Sequence, residues 1–445
     1  MLTNAIEQIE RTVLHMEPRH AVRFLNVSSP RAIEVMRRAR FRRTLRLAAA
    51  RSRFYREEFK HRGIDVDRIE HPSELGDFFT TGEDLRTHGA ETFLTGRADT
   101  AFETTGTTSP VSKRVFFSHR ELEEMGRTSA IGLYNLGMRR EDRVLSAYDI
   151  SFWVSPAVLR MAMQYLKCFH VEAGKIPPQE FYDRALAYKP NVIFGEPSWL
   201  MRLAEVASER KKWRVKLLFA GGENLTEEAR QFIEQVWDAP LYLSYGQTES
   251  FGTLGAECNR QDGYHRNDLF FWFETPETDA EGYGELVYTT LVRDVMPLIR
   301  YRSTDSTRLV DEPCGCGFFA KRIAKIRSRM DEMVVCGMGN VGPWVFEQVL
   351  RNANGHGAEW QATIKHDGRR DIVELRLEME DFDHSAEVEQ VVLANLRSGF
   401  ADFWRNHEMG LYDFRIIPFK PGTLRNGRKL KRVLDQRTMS PPAQA

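Results

Sequence analysis

The sequence contains few cysteines and no long apolar run. Five cysteines in 445 residues are too sparse for the disulfide framework of a small secreted protein. No apolar run approaches the roughly 20 residues that a helix needs to span a bilayer. The opening segment, MLTNAIEQIERTVLHMEPRH, carries acidic side chains and lacks the apolar stretch of a secretory signal. We therefore expect a cytoplasmic protein without a membrane partner.

The chain also lacks an excess of charge of either sign. Its 63 basic and 63 acidic side chains balance, which argues against a general nucleic-acid-binding surface. Arginine is concentrated near the start, which is predicted to be mainly helical, and a solvated basic face is favoured there over a nucleic-acid site. Ser29 and Pro30 fit the start of a helix, residues 31–59 fit its body, and Gly63 would end it.

From about residue 99 the pattern changes to short apolar runs that alternate with helical stretches. The runs are VIFG at 192–195, VKLLFA at 215–220 and LYLS at 241–244, and a helix is predicted from Thr226 to about Trp237. This alternation predicts a mainly parallel sheet, in which ligands bind at the carboxyl ends of the strands. The polar segments GGEN and YGQTE follow two consecutive strands, so both are expected to contribute to one shared site.

The last part of the chain is predicted to form a separate small module. In DIVELRLEM, which begins at Asp371, apolar and charged residues alternate as they do in a half-exposed strand. Helical stretches at 345–352 and 388–396 flank this strand, and LYDFRIIPF predicts a further one. The module therefore combines helices and strands.

The segment FETTGTTSPVSKRVFFSH, from Phe102 to His119, is rich in threonine, serine and glycine ahead of two cations. It does not fit the G-x-x-x-x-G-K-[ST] pattern of the familiar phosphate loop. Taken alone, such a segment is more often an ordinary turn than a phosphate-binding loop. Both interpretations stay open on this segment by itself.

The order of several motifs resembles the adenylate-forming superfamily of acyl- and aryl-CoA ligases, in particular its phenylacetate-CoA ligase-like branch. The resemblance extends from about Leu45 to Arg437, and its motifs are, in order, FYREEFKHRGID, FFTTGEDLR, TTGTTSPVSK, GEPSWL, AGGE, YGQTE, RYRSTD, RSRMDEMV and NGRKLKRVLDQR. It implies an α/β fold with a large N-terminal domain, 1–330, whose mainly parallel sheets are flanked by helices and whose first 95 or so residues are helical. A small mobile α+β domain, 331–445, would follow.

The same resemblance implies a two-step reaction with ATP, Mg²⁺ and coenzyme A. An aryl or small acyl carboxylate attacks the α-phosphate of ATP, and the thiol of coenzyme A then displaces AMP from the acyl-adenylate. Charge builds up on phosphate oxygens, so the site needs preorganised donors and a metal ion. A homodimer is common in this branch.

The resemblance also implies roles for individual residues. The outer phosphates of ATP would be bound by the first loop and a nearby cation, which comprise Thr104, Thr105, Gly106, Thr107, Thr108, Ser109 and Lys113. Ser109 stands where the family usually has glycine. The adenine, ribose, α-phosphate and Mg²⁺ would be bound by residues of AGGE, YGQTE and RYRSTD, namely Gly221, Gly222, Glu223, Tyr245, Gly246, Thr248, Glu249 and Asp305. Within this set, Tyr245 stacks on adenine, Thr248 bonds the α-phosphate, Glu249 binds Mg²⁺ and Asp305 takes the ribose hydroxyls.

The motifs near the end of the chain imply a moving domain. Asp331 matches the hinge about which the small domain rotates, and Arg329 matches the arginine beside it. Lys429 matches the lysine of the adenylation step, with Lys431 as its competitor because the preceding glycine is displaced by Arg428.

Two further segments, ECNRQDGYH and DEPCGCG, carry the residue types of a tetrahedral zinc site. The candidate ligands are Cys258, His265, Cys314 and Cys316. Composition alone leaves zinc and four unrelated residues about equally favoured, while the resemblance favours a structural zinc ion. The remaining cysteines, Cys168 and Cys336, are expected to be ordinary buried or surface residues.

Two alternatives to a CoA ligase stay open at this point. The acyl group could pass to a carrier-protein thiol or another nucleophile, or the protein could be a non-catalytic zinc-bearing binding protein on the same fold. By analogy with the family, the acid pocket is expected to be lined by residues between roughly Tyr148 and Gly252. Phe152, Trp153 and Trp199 are candidates for its lining, although core packing is favoured for each.

Overall fold

A computed structural model of the chain describes residues 12, 15–104, 113–223, 225, 227–329, 334–336, 339–351, 359–379, 385–424 and 432–437. Several of the residues singled out above lie outside these described ranges: Thr105, Gly106, Thr107, Thr108, Ser109, Thr226, Asp331, Lys429 and Lys431. Arg329 lies within them only in its backbone. The roles assigned to these residues therefore stay predictions.

Helices occur along the whole described part of the chain, including its C-terminal region. Their bounds are α1 (Pro18–Val27), α2 (Pro30–Arg51), α3 (Arg53–His61), α4 (Gly82–Thr87), α5 (His119–Asn135), α6 (Val154–Leu166), α7 (Pro178–Tyr188), α8 (Pro197–Ser208), α9 (Glu227–Trp237), α10 (Pro343–Arg351), α11 (Ser385–Gly399) and α12 (Ala401–Glu408). In the part of the chain that the structure describes, no helix is long and apolar enough to cross a membrane.

The strands are mostly short. Their bounds are β1 (Thr100–Thr104), β2 (Lys113–Phe117), β3 (Arg143–Ser146), β4 (Phe169–Glu172), β5 (Val192–Gly195), β6 (Leu217–Gly221), β7 (Leu241–Gln247), β8 (Gly252–Ala256), β9 (Tyr264–Arg266), β10 (Phe271–Glu274), β11 (Gly284–Thr290), β12 (Tyr301–Thr307), β13 (Leu309–Val310), β14 (Arg322–Ile323), β15 (Ser328–Arg329), β16 (Val334–Cys336), β17 (Gly339–Val341), β18 (Trp360–His366), β19 (Asp371–Glu378), β20 (Tyr412–Phe419) and β21 (Val433–Asp435).

The largest sheet has nine strands in the order β13-β14-β9-β8-β7-β6-β5-β3-β4. Its half from β4 to β7 is parallel, and the strands from β8 onward join it in antiparallel fashion. Val192, Ile193 and Phe194 of β5 are completely or almost completely buried, as expected for a parallel strand that is covered by helices on both faces. The α/β fold and the three strands predicted from the sequence are thereby confirmed.

The N-terminal helices differ from the sequence-based expectation at one point. The single helical stretch expected over 31–59 is divided at Ser52, whose backbone is extended and whose hydroxyl accepts a hydrogen bond from the N–H of Tyr55. Ser52 thus caps α3, because a serine oxygen can satisfy a free N–H at a helix start. The Tyr55 hydroxyl in turn accepts from the N–H of Ile299 at 3.0 Å, which ties these helices to the region before β12.

The C-terminal region contains a four-stranded sheet in the order β20-β19-β18-β21. The alternation predicted for DIVELRLEM is present in β19, where Val373, Leu375 and Leu377 are buried and the intervening Glu374 and Arg376 are half-buried. The helical stretches that were predicted to flank this strand correspond to α10 and α11. A separate α+β C-terminal region is therefore present, as the sequence predicted.

Candidate active site

Two polar segments meet at one edge of the large sheet. Glu223 lies just beyond β6, and Thr248 and Glu249 lie just beyond β7, which is the parallel neighbour of β6. Because parallel strands end at the same edge, their carboxyl ends bring these side chains together. Together they border a cavity of about 520 Å³.

Most of the described residues that the sequence singled out for ATP or Mg²⁺ line this cavity. Those that line it are Thr104, Lys113, Gly221, Gly222, Glu223, Gly246, Thr248 and Glu249. They come from the hairpin of β1 and β2 and from the ends of β6 and β7. The expectation of one shared site for the GGEN and YGQTE segments agrees with this placement.

The YGQTE segment is part strand and part turn, whereas the sequence predicted that the strand ends at Ser244. β7 continues through Gln247, and Gly246 pairs there with β8. A Cβ atom on Gly246 would stand 2.0 Å from the carbonyl oxygen of Gly252, so only glycine fits at this position. The Ser250 hydroxyl accepts from the N–H of Gln247 at 3.0 Å and closes the turn. This turn holds Thr248 and Glu249 at the cavity.

Glu249 is held in a buried cluster of hydrogen-bonding partners. Its carboxylate forms an ion pair with the Lys113 ammonium, and the Tyr301 hydroxyl donates to its Oε1 at 3.0 Å. The Arg293 guanidinium donates to its backbone carbonyl at 3.0 Å. A Cβ atom on Gly82 would lie 3.2 Å from the Lys113 Nζ and 3.3 Å from the Tyr301 hydroxyl, so the glycine of FFTTGEDLR leaves room for this cluster.

The electrostatic balance keeps Glu249 ionised. Burial by itself favours the neutral acid, but the charge and hydrogen bond of Lys113, with smaller contributions from the Glu249 backbone N–H and the Tyr301 hydroxyl, hold the pKa of Glu249 below its usual value. A buried carboxylate of this kind is a hard oxygen ligand, the type that Mg²⁺ prefers.

Tyr245 and Asp305 bond directly to each other. The Tyr245 hydroxyl donates to Oδ2 of Asp305 at 2.7 Å, and Nε2 of Gln247 donates to the same oxygen at 2.7 Å. Burial, followed by the charge of Asp305, raises the pKa of Tyr245 far above its usual value, so its hydroxyl stays a donor. These contacts connect β7 to β12. The predicted roles of Tyr245 at adenine and Asp305 at ribose stay predictions.

The three aromatic candidates for the acid pocket occupy different environments. Trp153 lines the cavity. Trp199 is completely buried, packs edge-on against Phe181 at 4.8 Å and donates to the carbonyl of Ile176, so it is a core residue. Phe152 is 64% exposed and therefore does not pack in the core as favoured.

Three residues that received no role from the sequence also belong to the site region. Tyr301 lies within the quoted RYRSTD motif, and Arg293 precedes it. Glu196 lies in GEPSWL, lines the cavity and is only 5% exposed. One signal could have found Glu196: it directly follows a buried strand of the parallel sheet, and Glu223 and Glu249 each stand two positions beyond such a strand.

The four predicted metal ligands converge at the antiparallel end of the large sheet. The ligand atoms of Cys258, His265, Cys314 and Cys316 all lie within 4.8 Å of one another. Pairing of β9 with β14 at His265 and Arg322 brings the two sequence segments together. The turn after Cys316 uses a positive φ of 77° at Gly317, a conformation that glycine adopts without strain.

The donor set fits a tetrahedral structural metal. Nε2 of His265 lies 3.2 Å from the Cys316 sulfur, and the Cys258 and Cys314 sulfurs are 3.7 Å apart. Nδ1 of His265 lies 2.6 Å from the carbonyl oxygen of Ala320, which leaves Nε2 free to face the thiols. Three thiolates and one imidazole are a ligand set that zinc uses in closed sites.

The chain is similar to known proteins over most of its length. Residues 102–269 match the model of a family described as AMP-binding enzyme. A phenylacetate-coenzyme A ligase of Thermus thermophilus is 26% identical over 432 residues, which cover 91% of this chain and 97% of that protein. One from Pseudomonas putida is 25% identical over 356 residues, which cover 76% and 80%. The resemblance to the adenylate-forming superfamily is confirmed.

Solved structures show that the fold is also that of adenylate-forming enzymes. A crystal structure of 2-hydroxyisobutyryl-CoA ligase in complex with 2-HIB-AMP and CoA matches with a TM-score of 0.78 at 20% identity, over 93% of this chain and 92% of that chain. A structure of o-succinylbenzoate CoA synthetase from Bacillus subtilis matches with a TM-score of 0.54 at 15% identity, over 76% and 68%. At these identities the likeness shows the adenylate-forming fold alone.

Proposed function

We propose that this protein is an AMP-forming acid–thiol ligase that acts on an aryl or small acyl carboxylic acid. The observation that carries the proposal is the convergence of Lys113, Thr248, Glu249 and the Gly222 turn on one cavity at the ends of adjacent parallel strands. The names of the relatives, all phenylacetate-coenzyme A ligases, support coenzyme A as the acceptor and an aryl acid as the substrate.

The reaction would proceed in two displacements. An oxygen of the substrate carboxylate attacks the α-phosphorus of ATP, and pyrophosphate leaves. The thiolate of coenzyme A then attacks the acyl carbon of the adenylate, and AMP leaves. Thr248 would donate a hydrogen bond to the α-phosphate, and donors placed where charge develops lower the barrier for such a displacement.

The cluster around Glu249 fits a magnesium ion that accompanies ATP. Glu249 would be the protein ligand, because its carboxylate is ionised and borders the cavity. The ion would supply positive charge to the phosphate oxygens. Lys113 would provide a second positive charge at the same place. The hydroxyls of the loop that follows Thr104, with Ser109 at the usual glycine position, would complete the phosphate site.

The remaining residue roles come from the resemblance and are part of the proposal. Tyr245 would stack on adenine and Asp305 would bind the ribose. The small domain, 331–445, would rotate about Asp331 beside Arg329 between the two half-reactions. Lys429 would then contact the reacting carboxylate and phosphate during adenylation only.

The direct test is a pyrophosphate-exchange screen over a panel of aryl and acyl acids, followed by a search for the CoA thioester. Exchange with at least one acid is expected, and thioester formation should follow when coenzyme A is added. Exchange without a CoA thioester would mean that the acyl acceptor is a carrier-protein thiol or another nucleophile. If no acid supports exchange, the ligase function is refuted and the alternative of a non-catalytic binding protein is favoured. A cytoplasmic location and a homodimer stay predictions.

Lys429→Ala tests the two-state arrangement. It should reduce pyrophosphate exchange by roughly 100-fold or more while leaving thioester formation from a supplied acyl-adenylate intact. Lys431→Ala is the matched control and should keep both activities. If Lys429→Ala exchanges at a near wild-type rate and Lys431→Ala does not, the two lysines have been assigned in the wrong order.

We also propose that the cysteine–histidine cluster binds structural zinc. The support is the convergence of four ligand atoms of the right chemistry and the orientation of His265 by the Ala320 carbonyl. Bound zinc would cross-link the two segments that carry its ligands. Elemental analysis of protein purified without chelator should find about one zinc ion per chain. Cys314→Ser should lose the ion while Cys168→Ser retains it, and metal-free wild-type protein would refute the site.

A further inference from the structure

Glu196 is a buried acid that the proposed reaction does not use. It follows β5, and its backbone carbonyl accepts from the N–H of Leu200 at the start of α8. Among the described residues, its side chain makes no capping hydrogen bond to that helix, and no described group forms a hydrogen bond with its buried Oε2. Leaving a carboxyl oxygen buried and unpaired is costly, so stability does not account for a glutamate at this position.

The surroundings of Glu196 place it at the cavity. Glu196 lines the cavity together with Tyr148 and Gly222. A Cβ atom on Gly222 would lie 3.9 Å from Cγ of Glu196, so the two residues are neighbours across the ends of β5 and β6. Thr248, which would bond the α-phosphate, lines the same cavity. A bound acid that reaches Thr248 with its carboxylate can therefore extend its tail into the part of the cavity that Glu196 borders.

The cavity lining is mainly apolar. Val158, Leu159 and Phe219 contribute apolar side chains to the lining. Binding pockets of this kind are apolar with a small number of placed polar groups that give specificity. Glu196 has the position and the unused hydrogen-bonding capacity of such a group.

The charges around Glu196 favour a hydrogen-bond donor as its partner. The neighbouring Glu223 is already engaged by Ser198, whose N–H and hydroxyl donate to its two oxygens at 2.9 and 3.0 Å. Burial, followed by the charge of Glu223, raises the pKa of Glu196 to about 8, although the Lys175 charge and its own backbone N–H oppose this rise. A ligand that donates a hydrogen bond to Glu196 would compensate the carboxyl for its lost contact with water. A positively charged donor would also offset the repulsion between Glu196 and Glu223.

Resting on the ligase function proposed above, we propose that Glu196 selects carboxylic acids whose tail carries a hydrogen-bond donor, an amine or a hydroxyl. The buried carboxyl accepts this hydrogen bond inside the cavity. Acids with a purely apolar tail would leave Glu196 unpaired and would be poorer substrates. Glu196 is thus a specificity-determining residue.

The test compares matched acids in pyrophosphate exchange. The probes are phenylacetate and its 2-, 3- and 4-amino and hydroxy derivatives, and an aliphatic pair with and without a terminal amine. Wild-type protein should use at least one donor-bearing acid with a kcat/KM that is roughly 3- to 150-fold above its unsubstituted counterpart, a range that extends from a hydrogen bond between neutral groups to one that involves a charge. The position of the best derivative would show where the donor meets Glu196.

Two variants and a matched control assign this preference to Glu196. Glu196→Leu should bring the ratio between the donor-bearing and unsubstituted acids close to one while exchange with the unsubstituted acid persists. Glu196→Gln keeps a carbonyl acceptor but cannot carry a negative charge. It should therefore retain the preference for a hydroxyl or an uncharged aryl amine and lose that for the charged terminal amine of the aliphatic acid. Glu209→Leu and Glu209→Gln, at an exposed glutamate just after the same helix, should behave as wild type.

Each remaining outcome decides against the inference or the function. Equal use of donor-bearing and unsubstituted acids by wild-type protein, or an unchanged ratio in Glu196→Leu, would overturn the role of Glu196 and leave the ligase intact. If Glu196→Leu does not fold, an unchanged preference for the charged terminal amine of the aliphatic acid in Glu196→Gln would overturn it. If Glu196→Gln loses thioester formation with every acid while pyrophosphate exchange is unchanged, the proposed role is also wrong. Glu196 would then be the base that deprotonates the thiol of coenzyme A. Exchange with no acid at all would refute the ligase itself.

Discussion

The buried pair of Arg230 and Glu257 gives a stability prediction whose size follows from the structure. The guanidinium of Arg230 on α9 bonds both carboxylate oxygens of Glu257, at 2.9 and 3.0 Å, and both side chains are at most 1% exposed. Arg230 also donates to the carbonyl of Leu241 at 2.6 Å, and Glu257 accepts from the N–H of Leu243 at 2.8 Å. The pair thereby holds β7, the strand that leads into Thr248.

Arg230→Met should be strongly destabilising. It would leave the Glu257 carboxylate in the interior without its counter-charge, and removing one partner of a buried pair costs about 3–5 kcal/mol. The double variant Arg230→Met/Glu257→Gln removes both charges and keeps an acceptor for Leu243. It should therefore recover at least about 2 kcal/mol of that loss, because the charge that caused the penalty is gone.

Thermal and urea unfolding, followed by circular dichroism, would measure both variants. The single variant should melt about 3–5 °C below wild type. Its deficit should also depend on pH. Burial, against the opposing effect of Arg230, already raises the pKa of Glu257, and removal of the arginine should raise it further. The folded state would then bind a proton more tightly than the unfolded state, so the variant should regain stability as the pH falls from 8 towards 5.

Three results would refute this reasoning. They are a loss below about 1 kcal/mol in the single variant, a double variant no more stable than the single one, and a deficit that grows as the pH falls. The first two would mean that water or a rearranged side chain compensates the carboxylate. The third would mean that Glu257 stays ionised in the variant.

Two further changes test the geometry of the site. Gly246→Ala would place a methyl group 2.0 Å from the carbonyl oxygen of Gly252, so the turn that holds Thr248 must shift. Pyrophosphate exchange should therefore fall at least about tenfold. The control Gly399→Ala, which has open space around its new methyl group, should match wild type. Tyr245→Phe removes one of the hydrogen bonds to Asp305. Because hydrogen bonds to charged groups are the strong ones, the KM for ATP should rise roughly tenfold. An unchanged KM would show that this hydrogen bond does not contribute to ATP binding.

The position of the site was largely predictable from the sequence. Buried strands at 192–195 and 217–221 follow from uninterrupted apolar runs, and polar segments after consecutive parallel strands must meet at one edge. The prediction of where elements begin and end was weaker. One helical stretch became two at Ser52, and β7 continued through Gln247, because a hydroxyl cap and pairing with β8 decided these boundaries.

Contacts between residues far apart in the chain could not be predicted from the sequence. That Lys113 pairs with Glu249 depends on how the β1–β2 hairpin is placed against the end of β7. That four metal-ligand candidates converge depends on the pairing of β9 with β14. Ligand spacing made the cluster a candidate, but spacing contains no distance between segments that lie far apart in the chain.

The fold class, the strands that follow one another along the chain and the residue types at their ends could be predicted from the amino-acid order, because apolar periodicity and turn chemistry are local properties. Which of those residues are paired depends on the folded arrangement of distant segments. Glu223 and Glu249 have partners in Ser198 and Lys113, whereas Oε2 of Glu196, in the same cavity, has no hydrogen-bond partner within the described ranges. Burial and electrostatic environment arise from the packing of distant segments, and they distinguish these otherwise similar glutamates.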